Sequence, residues 1–150
     1  MSENQLFEIS LKSILKNDKD EILLLENSEN SWMYGFLDLP GGRVQTHETD
    51  LELHEVAKRE LLEEVGNITF EMNEKPISYG RHHYISKDKK RIDVLWIFFE
   101  VKYLGGEIKI SHEHVGYRWI KLDEIDLEKS FVKDSGGYNG IKNYSKWTKQ

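Results

Sequence analysis

One segment with a helical period lies among runs that have strand character, and this pattern limits the fold to the α+β class. Residues 50–65 carry apolar positions at helical spacing and end before Gly66 and Asn67, which favour the end of a helix. The strongest strand run covers residues 91–103, RIDVLWIFFEVKY, and is rich in β-branched and aromatic side chains. We therefore expect one long helix packed against a sheet.

Shorter patterns predict the remaining elements of the chain. Strands are expected at residues 6–16, 21–25, 35–39, 68–84 with a break near Pro76, 108–110 after a turn at 104–107, and 117–121. Thr49, followed three residues later by Glu52, predicts a capping box at the start of the long helix. No repeat or Pro-rich linker divides the chain, so residues 1–150 are expected to form one domain.

Composition excludes several classes of protein. The chain contains no Cys, which removes disulfide scaffolds, thiol enzymes and Cys-based zinc sites. No run approaches about 18 consecutive apolar residues and the first ten residues do not form a secretion signal, so we expect a cytoplasmic protein without a membrane span. The formal net charge of −6 argues against a broad nucleic-acid-binding surface.

Three acidic residues in the long helix have a spacing that gathers them on one face. Glu60, Glu63 and Glu64 lie within about 100° of one another when each residue advances by about 100°. Carboxylates this close repel unless they are solvated or neutralised, and Mg²⁺ or Mn²⁺ prefers oxygen ligands of this kind. An ordinary solvated helix face is the alternative. The same arithmetic predicts that the apolar seam points roughly 150° away, through Leu61, Leu62 and Val65.

Two glycines before this helix make the metal-site interpretation more specific. Gly41 and Gly42 follow a predicted strand and Pro40, where glycine allows the backbone to approach a ligand or a metal closely. Arg43 and Arg59 flank the acidic face, and a guanidinium group can orient carboxylates or bind phosphates.

The whole stretch resembles the Nudix box, G-x5-E-x7-R-E-U-x-E-E-x-G-U, in which U is an aliphatic residue. Five residues separate Gly42 from Glu48, and residues 59–66, RELLEEVG, match the second half position by position. The sequence departs from the pattern twice: ten residues instead of seven separate Glu48 from Arg59, and Asn67 replaces the last aliphatic residue. We expect the three extra residues to extend the start of the helix by just under one turn.

The resemblance to the Nudix hydrolase family, and to its MutT-like members, implies a fold and a reaction. The implied fold is an α/β/α sandwich with a mixed central sheet and one long catalytic helix. The implied reaction is the Mg²⁺- or Mn²⁺-dependent hydrolysis of a pyrophosphate bond in a nucleoside diphosphate derivative.

Within this family a MutT-like nucleoside triphosphate pyrophosphohydrolase is the first expectation for this chain. The alternatives are a dinucleoside polyphosphate hydrolase and a non-catalytic module that binds nucleotides. The expected partner is a small nucleotide, with neither a membrane nor a stable nucleic-acid partner. The expected state is a monomer or a homodimer.

The family pattern also implies roles for the residues that match it. Glu60 and Glu64 would bind the metal, and the carbonyl of Gly41 would complete its shell. Glu63 would act as a further ligand or as the base. Arg59 would orient neighbouring carboxylates through ion pairs.

A second stretch adds a further candidate to the site. Residues 111–119, SHEHVGYRW, resemble the segment before the last strand of MutT-like members, and Glu113 takes the place of an acidic residue that is a metal ligand or a base in some relatives. Arg43 and Glu48 are expected to bind substrate.

Aromatic and histidine residues outside these motifs have two interpretations each. Trp32, Tyr34 and Phe36 either stack on a nucleobase or pack within the protein. Tyr84 lies near the place where dinucleoside polyphosphate hydrolases of this family carry a Tyr. The paired histidines are interpreted as incidental surface residues rather than as ligands: His82, His83, His112 and His114.

Overall fold

The computed structural model describes residues 2–149, in which seven strands form one sheet. The strands are β1 (Glu8–Lys16), β2 (Glu21–Asn27), β3 (Leu37–Asp38), β4 (Gly41–Arg43), β5 (Thr69–Ile85), β6 (Arg91–Gly105) and β7 (His114–Lys121). The helices are α1 (Leu53–Val65), α2 (Leu127–Ser130) and α3 (Gly136–Thr148), and two short 3₁₀ helices cover Thr46–Glu48 and Leu122–Glu124. No helix among the described residues has the length and apolar character needed to cross a membrane.

The sheet is mixed, as the family resemblance implies. Its main path runs β3-β2-β1-β6-β5, while β4 pairs with β1 and β7 pairs with β2. The two central strands β1 and β6 run parallel, and every other pair is antiparallel. The α+β class is therefore confirmed.

Helices cover both faces of the sheet, because side chains alternate in direction along each strand. On β1, Leu11 and Leu15 pack against α1, whereas Ile14 packs against α3. The neighbouring strands divide in the same way: Leu23, Leu25, Phe99 and Val101 join the α1 layer, and Ile22, Leu24, Val94, Trp96 and Phe98 join the α3 layer. This arrangement confirms the predicted α/β/α sandwich.

The long helix starts later than the sequence predicts. It begins at Leu53 rather than at residue 50, and Glu52 precedes it without a side-chain cap, so the Thr49–Glu52 capping box is wrong. The reason is that Glu48 ends its own 3₁₀ helix, where its side chain accepts a hydrogen bond from the Gln45 N–H group. Residues 49–52 then form the connection to α1, so the extra residues lengthen a loop and do not extend the helix. The helix ends before Gly66, as predicted, and Gly66 has a φ of 92°.

The face that α1 buries is also different from the predicted one. Glu60 and Glu64 are only 8% and 7% exposed, whereas Leu62 is 37% exposed. The buried seam runs through Val56, Ala57, Leu61 and Val65, and at about 100° per residue Glu64 lies only about 60° from Leu61. The carboxylates therefore lie at the edge of the buried face and are covered by other parts of the chain.

The segment after β6 is one of those covering parts, and it does not form the strand predicted at 108–110. It runs beside the end of α1, where Lys109 donates its N–H group to the Val65 carbonyl at 2.8 Å and Ser111 donates to the Glu64 carbonyl at 3.0 Å. The last carbonyls of a helix lack partners within the helix, and this segment supplies them. The contact brings residues 111–114 over the acidic face.

Candidate active site

The acidic face of α1 opens on a depression of about 420 Å³ beside β4. Gly42 faces Glu60 so closely that a Cβ atom at residue 42 would lie 2.4 Å from Glu60 Oε2. A side chain at this position would displace the carboxylate, so the close approach requires glycine. The depression brings together most of the residues that the sequence analysis assigned to a site: Gly41, Arg43, Glu60, Glu63, Glu64 and Glu113.

Arg59 connects three carboxylates around this depression. Its Nε and Nη2 atoms donate to the two oxygens of Glu48, with 2.6 Å between Nη2 and Oε1. Nη2 also donates to Glu60 Oε1 at 2.9 Å, and Nη1 donates to Glu63 Oε2 at 3.0 Å. The hydrogen bonds to Glu48 are the largest cause of a raised pKa at Arg59. The fork geometry of a guanidinium group makes this three-way contact possible.

Glu48 lies beneath Arg59 and outside the lining of the depression. It is 2% exposed, and its oxygens accept hydrogen bonds from Arg59 and from the Gln45 N–H group. Hydrogen bonding from Arg59 holds the pKa of Glu48 below its ordinary value. Glu48 therefore anchors Arg59 and does not line the depression, while its binding of substrate stays a prediction.

Glu60 lines this depression and is buried. Burial raises the pKa of Glu60 above its ordinary value, and the charge of Arg59 opposes that shift only in part. The nearby carboxylates of Glu63 and Glu64 raise the same pKa further. A cation bound here would relieve this repulsion and favour the ionised form.

The other buried carboxylate of the face, Glu64, is held by residues 111–114. Ser111 Oγ donates to Glu64 Oε2 at 3.0 Å, and His114 Nδ1 lies 3.3 Å from the same oxygen. Burial lowers the pKa of His114, but the carboxylates of Asp38 and Glu64 outweigh burial and raise that pKa to about 9. Because His114 is buried, the expectation that it is an incidental surface residue is wrong.

A buried ion pair continues from His114 towards β1. Its Nε2 atom lies 3.8 Å from Asp38 Oδ2, and Lys12 Nζ lies 3.3 Å from Asp38 Oδ1. Burial raises the pKa of Asp38, but Lys12 and His114 outweigh burial and hold it below its ordinary value. Lys12 and Asp38 are not predicted from the sequence, since a Lys within an apolar strand and an Asp before Leu-Pro belong to no functional motif. The signal that was available is the charged side chain within the apolar pattern of β1.

A cleft of about 910 Å³ adjoins the depression, and Arg43, Glu64 and Glu113 line both of them. Arg43 donates to Glu8 Oε1 at 2.6 Å, and its guanidinium carbon lies 5.6 Å from the centre of the Tyr84 ring. The cleft also carries cationic and aromatic side chains, which are Lys12, Lys87, Trp32, His82, Tyr84 and Trp96. Cationic side chains can bind phosphates, and aromatic rings can stack on nucleobases.

His82 in this cleft accepts a hydrogen bond at Nδ1 from the N–H group of Gly136, the first residue of α3, at 3.2 Å. Burial, followed by the positive charges of Arg43 and Lys12, lowers the pKa of His82 to about 4. The neutral imidazole therefore helps to dock the start of α3 on the sheet.

We expect the contribution of His82 to folding to disappear at acidic pH. Because the folded-state pKa is about 4 and the ordinary value is 6.5, the unfolded chain binds this proton first as pH falls. The stability is complete above pH 6.5 and falls by about 2 kcal/mol towards pH 4, after allowance for solvent screening. His82→Asn keeps a hydrogen-bond acceptor for the Gly136 N–H group but cannot be protonated in this range. Urea unfolding of this variant should therefore give the same free energy of unfolding from this site at pH 6.5 and at about pH 4. The exposed His83→Asn is the control, and an undiminished pH dependence in His82→Asn would contradict the assignment.

The donor atoms of the depression fit a hard divalent cation. Glu60 and Glu64 present buried carboxylates to it, and Gly42 leaves the space that Glu60 occupies. Within residues 2–149, no group of three or more His, Asp or Glu side chains is already gathered as a metal shell. Arg59 now occupies one oxygen of Glu60 and one of Glu63, so a cation would compete with Arg59 for them. The oxygen-only chemistry is that of Mg²⁺ and Mn²⁺ sites.

Comparison with known proteins gives relatives that are similar to this chain in sequence. The asymmetrical bis(5′-nucleosyl)-tetraphosphatase of Mus musculus is 34% identical over 115 residues, which cover 73% of this chain and 70% of the mouse protein. The enzyme of the same name from Sus scrofa is 33% identical over 113 residues, which cover 72% of this chain and 69% of that protein.

Solved structures include similar folds over nearly the whole chain. The MutT protein from Methanosarcina mazei Go1 superposes with a TM-score of 0.67 at 28% identity, covering 99% of this chain and 100% of that one. A binary complex of a C. elegans Ap4A hydrolase has a TM-score of 0.66 at 18% identity, covering 95% and 98%, and supports the fold alone. The family model for the NUDIX domain matches residues 9–138, which include the acidic face of α1 and the segment that covers it. The chain belongs to the Nudix hydrolase family.

Proposed function

We propose that this enzyme hydrolyses a pyrophosphate bond of a dinucleoside polyphosphate, with Mg²⁺ or Mn²⁺ bound at the acidic face of α1. The observation that carries the proposal is the continuity between the depression of about 420 Å³ and the larger cleft of about 910 Å³. A ligand with two nucleosides joined by a phosphate chain needs such an extended site. The tetraphosphatase relatives at 33–34% identity support the same substrate class.

Residues in and around the depression have separate roles in the proposed hydrolysis. Glu60 and Glu64 would hold the cation, which would polarise phosphate oxygens and lower the pKa of a bound water molecule. Arg59, anchored on Glu48, keeps Glu60 and Glu63 in place. The net charge of −6 is compatible with an anionic substrate, because bound cations invert the local sign of this face.

Glu63 and Glu113 are the two candidate bases. Both are exposed and line the depression, so either can receive a proton from water there. In the reaction the water oxygen bonds to one phosphorus atom, and the P–O bond to the bridging oxygen breaks. The bridging oxygen leaves with the departing phosphate chain, and the proton of the water passes to the carboxylate.

The larger cleft supplies groups for the rest of the substrate. Arg43 and Lys87 offer positive charge to a phosphate chain, and Trp32 and Tyr84 offer ring faces to a base. This distribution agrees with binding by phosphate contacts and base stacking together. A small nucleotide, rather than a nucleic acid, is the ligand we infer, and the cytoplasm is the compartment we propose.

A nucleoside triphosphate pyrophosphohydrolase is the second candidate. The observation in its favour is the likeness to the MutT protein from M. mazei, which this chain covers completely at 28% identity. The two candidates differ in the products they release. Asymmetrical cleavage of diadenosine tetraphosphate gives ATP and AMP, whereas cleavage of a nucleoside triphosphate gives a monophosphate and pyrophosphate.

We expect turnover of diadenosine tetraphosphate to exceed that of each nucleoside triphosphate by at least about tenfold in kcat/KM, since only the longer ligand uses both parts of the site. Ion-exchange chromatography of the products, with Mg²⁺ and with Mn²⁺, tests this expectation. A preference for deoxynucleoside triphosphates with release of pyrophosphate would favour the second candidate. Tight nucleotide binding without turnover under either metal would contradict both and favour a binding module.

A further inference from the structure

We propose that His114 is a positioning residue that fixes the Glu64 carboxylate so that one of its oxygens stays available to a cation. The inference rests on the proposed function in one respect, namely that Glu64 is a metal ligand. It assigns His114 no contact with the cation or the substrate.

Two side chains lie against the same oxygen of Glu64, Ser111 through a hydrogen bond and His114 through an ion pair that lacks hydrogen-bond geometry. Ser111 Oγ donates to Oε2 at 3.0 Å, and His114 Nδ1 lies 3.3 Å from Oε2. Within the described residues, no hydrogen bond or ion pair engages Oε1 of Glu64. The carboxylate is therefore fixed by one oxygen, and the other is left for a ligand in the adjoining depression.

His114 is itself held from the opposite side. Its side chain is 6% exposed, and its Nε2 atom faces Asp38 Oδ2 at 3.8 Å. Asp38 in turn accepts a hydrogen bond from the Leu39 N–H group at 2.7 Å and pairs with Lys12. The imidazole thus lies between a carboxylate fixed by β1 and a carboxylate on α1.

The main chain sets the position of His114. Asn27 pairs with His114 and Glu26 with Gly116, so the register between β2 and β7 shifts by one residue at this point. A bulge of this kind redirects a side chain next to a site. A Glu side chain has several rotamers, and an outer partner that selects one of them raises metal affinity, typically by 10- to 100-fold.

Two substitutions at residue 114 separate this role from a purely structural one. His114→Asn places an amide where Nδ1 faces Glu64, whereas His114→Gln places it where Nε2 faces Asp38. We expect Mn²⁺ binding, measured by electron paramagnetic resonance on the full chain without nucleotide, to weaken about 10- to 100-fold in His114→Gln and less than about threefold in His114→Asn. Ser111→Ala should weaken it severalfold, and His83→Asn should leave it unchanged.

Hydrolysis measurements provide a second readout for the same variants. At saturating Mn²⁺ we expect His114→Gln to regain most of its kcat with an unchanged KM for the nucleotide, because the defect lies in metal affinity. A raised nucleotide KM with normal Mn²⁺ affinity would overturn the inference in favour of direct substrate contact. Equal Mn²⁺ affinity in His114→Gln, His114→Asn and the unaltered chain would also overturn it, whatever the change in Tm.

The outcome of the Mn²⁺ measurement distinguishes this inference from the proposed function. If the unaltered chain binds no Mn²⁺, both the metal site and the role of His114 are wrong. If it binds Mn²⁺ and His114→Gln binds equally well, only the role of His114 is wrong.

Discussion

Replacing Glu64 with glutamine is expected to lower metal-dependent hydrolysis by more than about 100-fold. The substitution keeps the size of the side chain but removes the negative charge, and an amide oxygen is a weak ligand for Mg²⁺ compared with a carboxylate. Loss of an outer partner of a metal ligand already reduces function by about 10- to 100-fold, so loss of the ligand itself should exceed that range. Initial rates across a range of Mg²⁺ and Mn²⁺ concentrations measure the effect.

The matched control for this substitution is Glu55→Gln on the same helix. Glu55 is exposed and lies in the first turn of α1, five residues before Glu60 and away from the depression. We expect its turnover to remain close to that of the unaltered protein. Unchanged Mg²⁺-dependent turnover of the active substrates in Glu64→Gln would contradict the assignment of Glu64 as a metal ligand.

Replacing Arg59 with methionine is expected to lower both activity and stability. Methionine preserves the apolar stem but leaves Glu48 buried without its cationic partner, and it releases Glu60 and Glu63. We expect a fall of roughly 5–10 °C in Tm and a loss of turnover of about 100-fold. Arg59→Lys should restore little of either, since an ammonium group cannot bridge three carboxylates.

The pH dependence of stability provides an independent measurement of the Arg59 contacts. The pKa of Glu48 is lowered in the folded protein, so its contribution is present above the ordinary value of 4.5 and is lost as pH falls through the folded pKa. The difference in unfolding free energy between the unaltered protein and Arg59→Met should therefore shrink on acidification below about pH 4.5. Lys58→Met is the control on the same helix. A difference that stays constant down to about pH 3 would show that Arg59 stabilises the fold without pairing to Glu48.

Local spacing in the sequence was enough to predict much of the fold and of the acidic face. The alternation of apolar residues identified the principal strands, and the helical period identified α1 and its end at Gly66. The grouping of Glu60, Glu63 and Glu64 next to Arg59 followed from residues within one and a half turns of one helix. Such features depend on neighbours in the chain, so a pattern of residue types describes them well.

The sequence did not determine which face of α1 is buried or what covers its carboxylates. Leu62 is exposed, and Glu60 and Glu64 are buried, because Gly42 of β4 and residues 111–114 close over that edge of the helix. The extra residues lie in the loop at 49–52 because Arg59 binds Glu48 and keeps it in the preceding 3₁₀ helix.

The tertiary structure alone brought His114, Asp38 and Lys12 together behind Glu64. These residues come from β7, β3 and β1, and strand pairing rather than local pattern sets their proximity. The sequence by itself determined the fold class and the candidate ligands. Only packing between distant segments decided the burial of those carboxylates and placed a histidine beside Glu64, because the groups around a buried charge determine its energy.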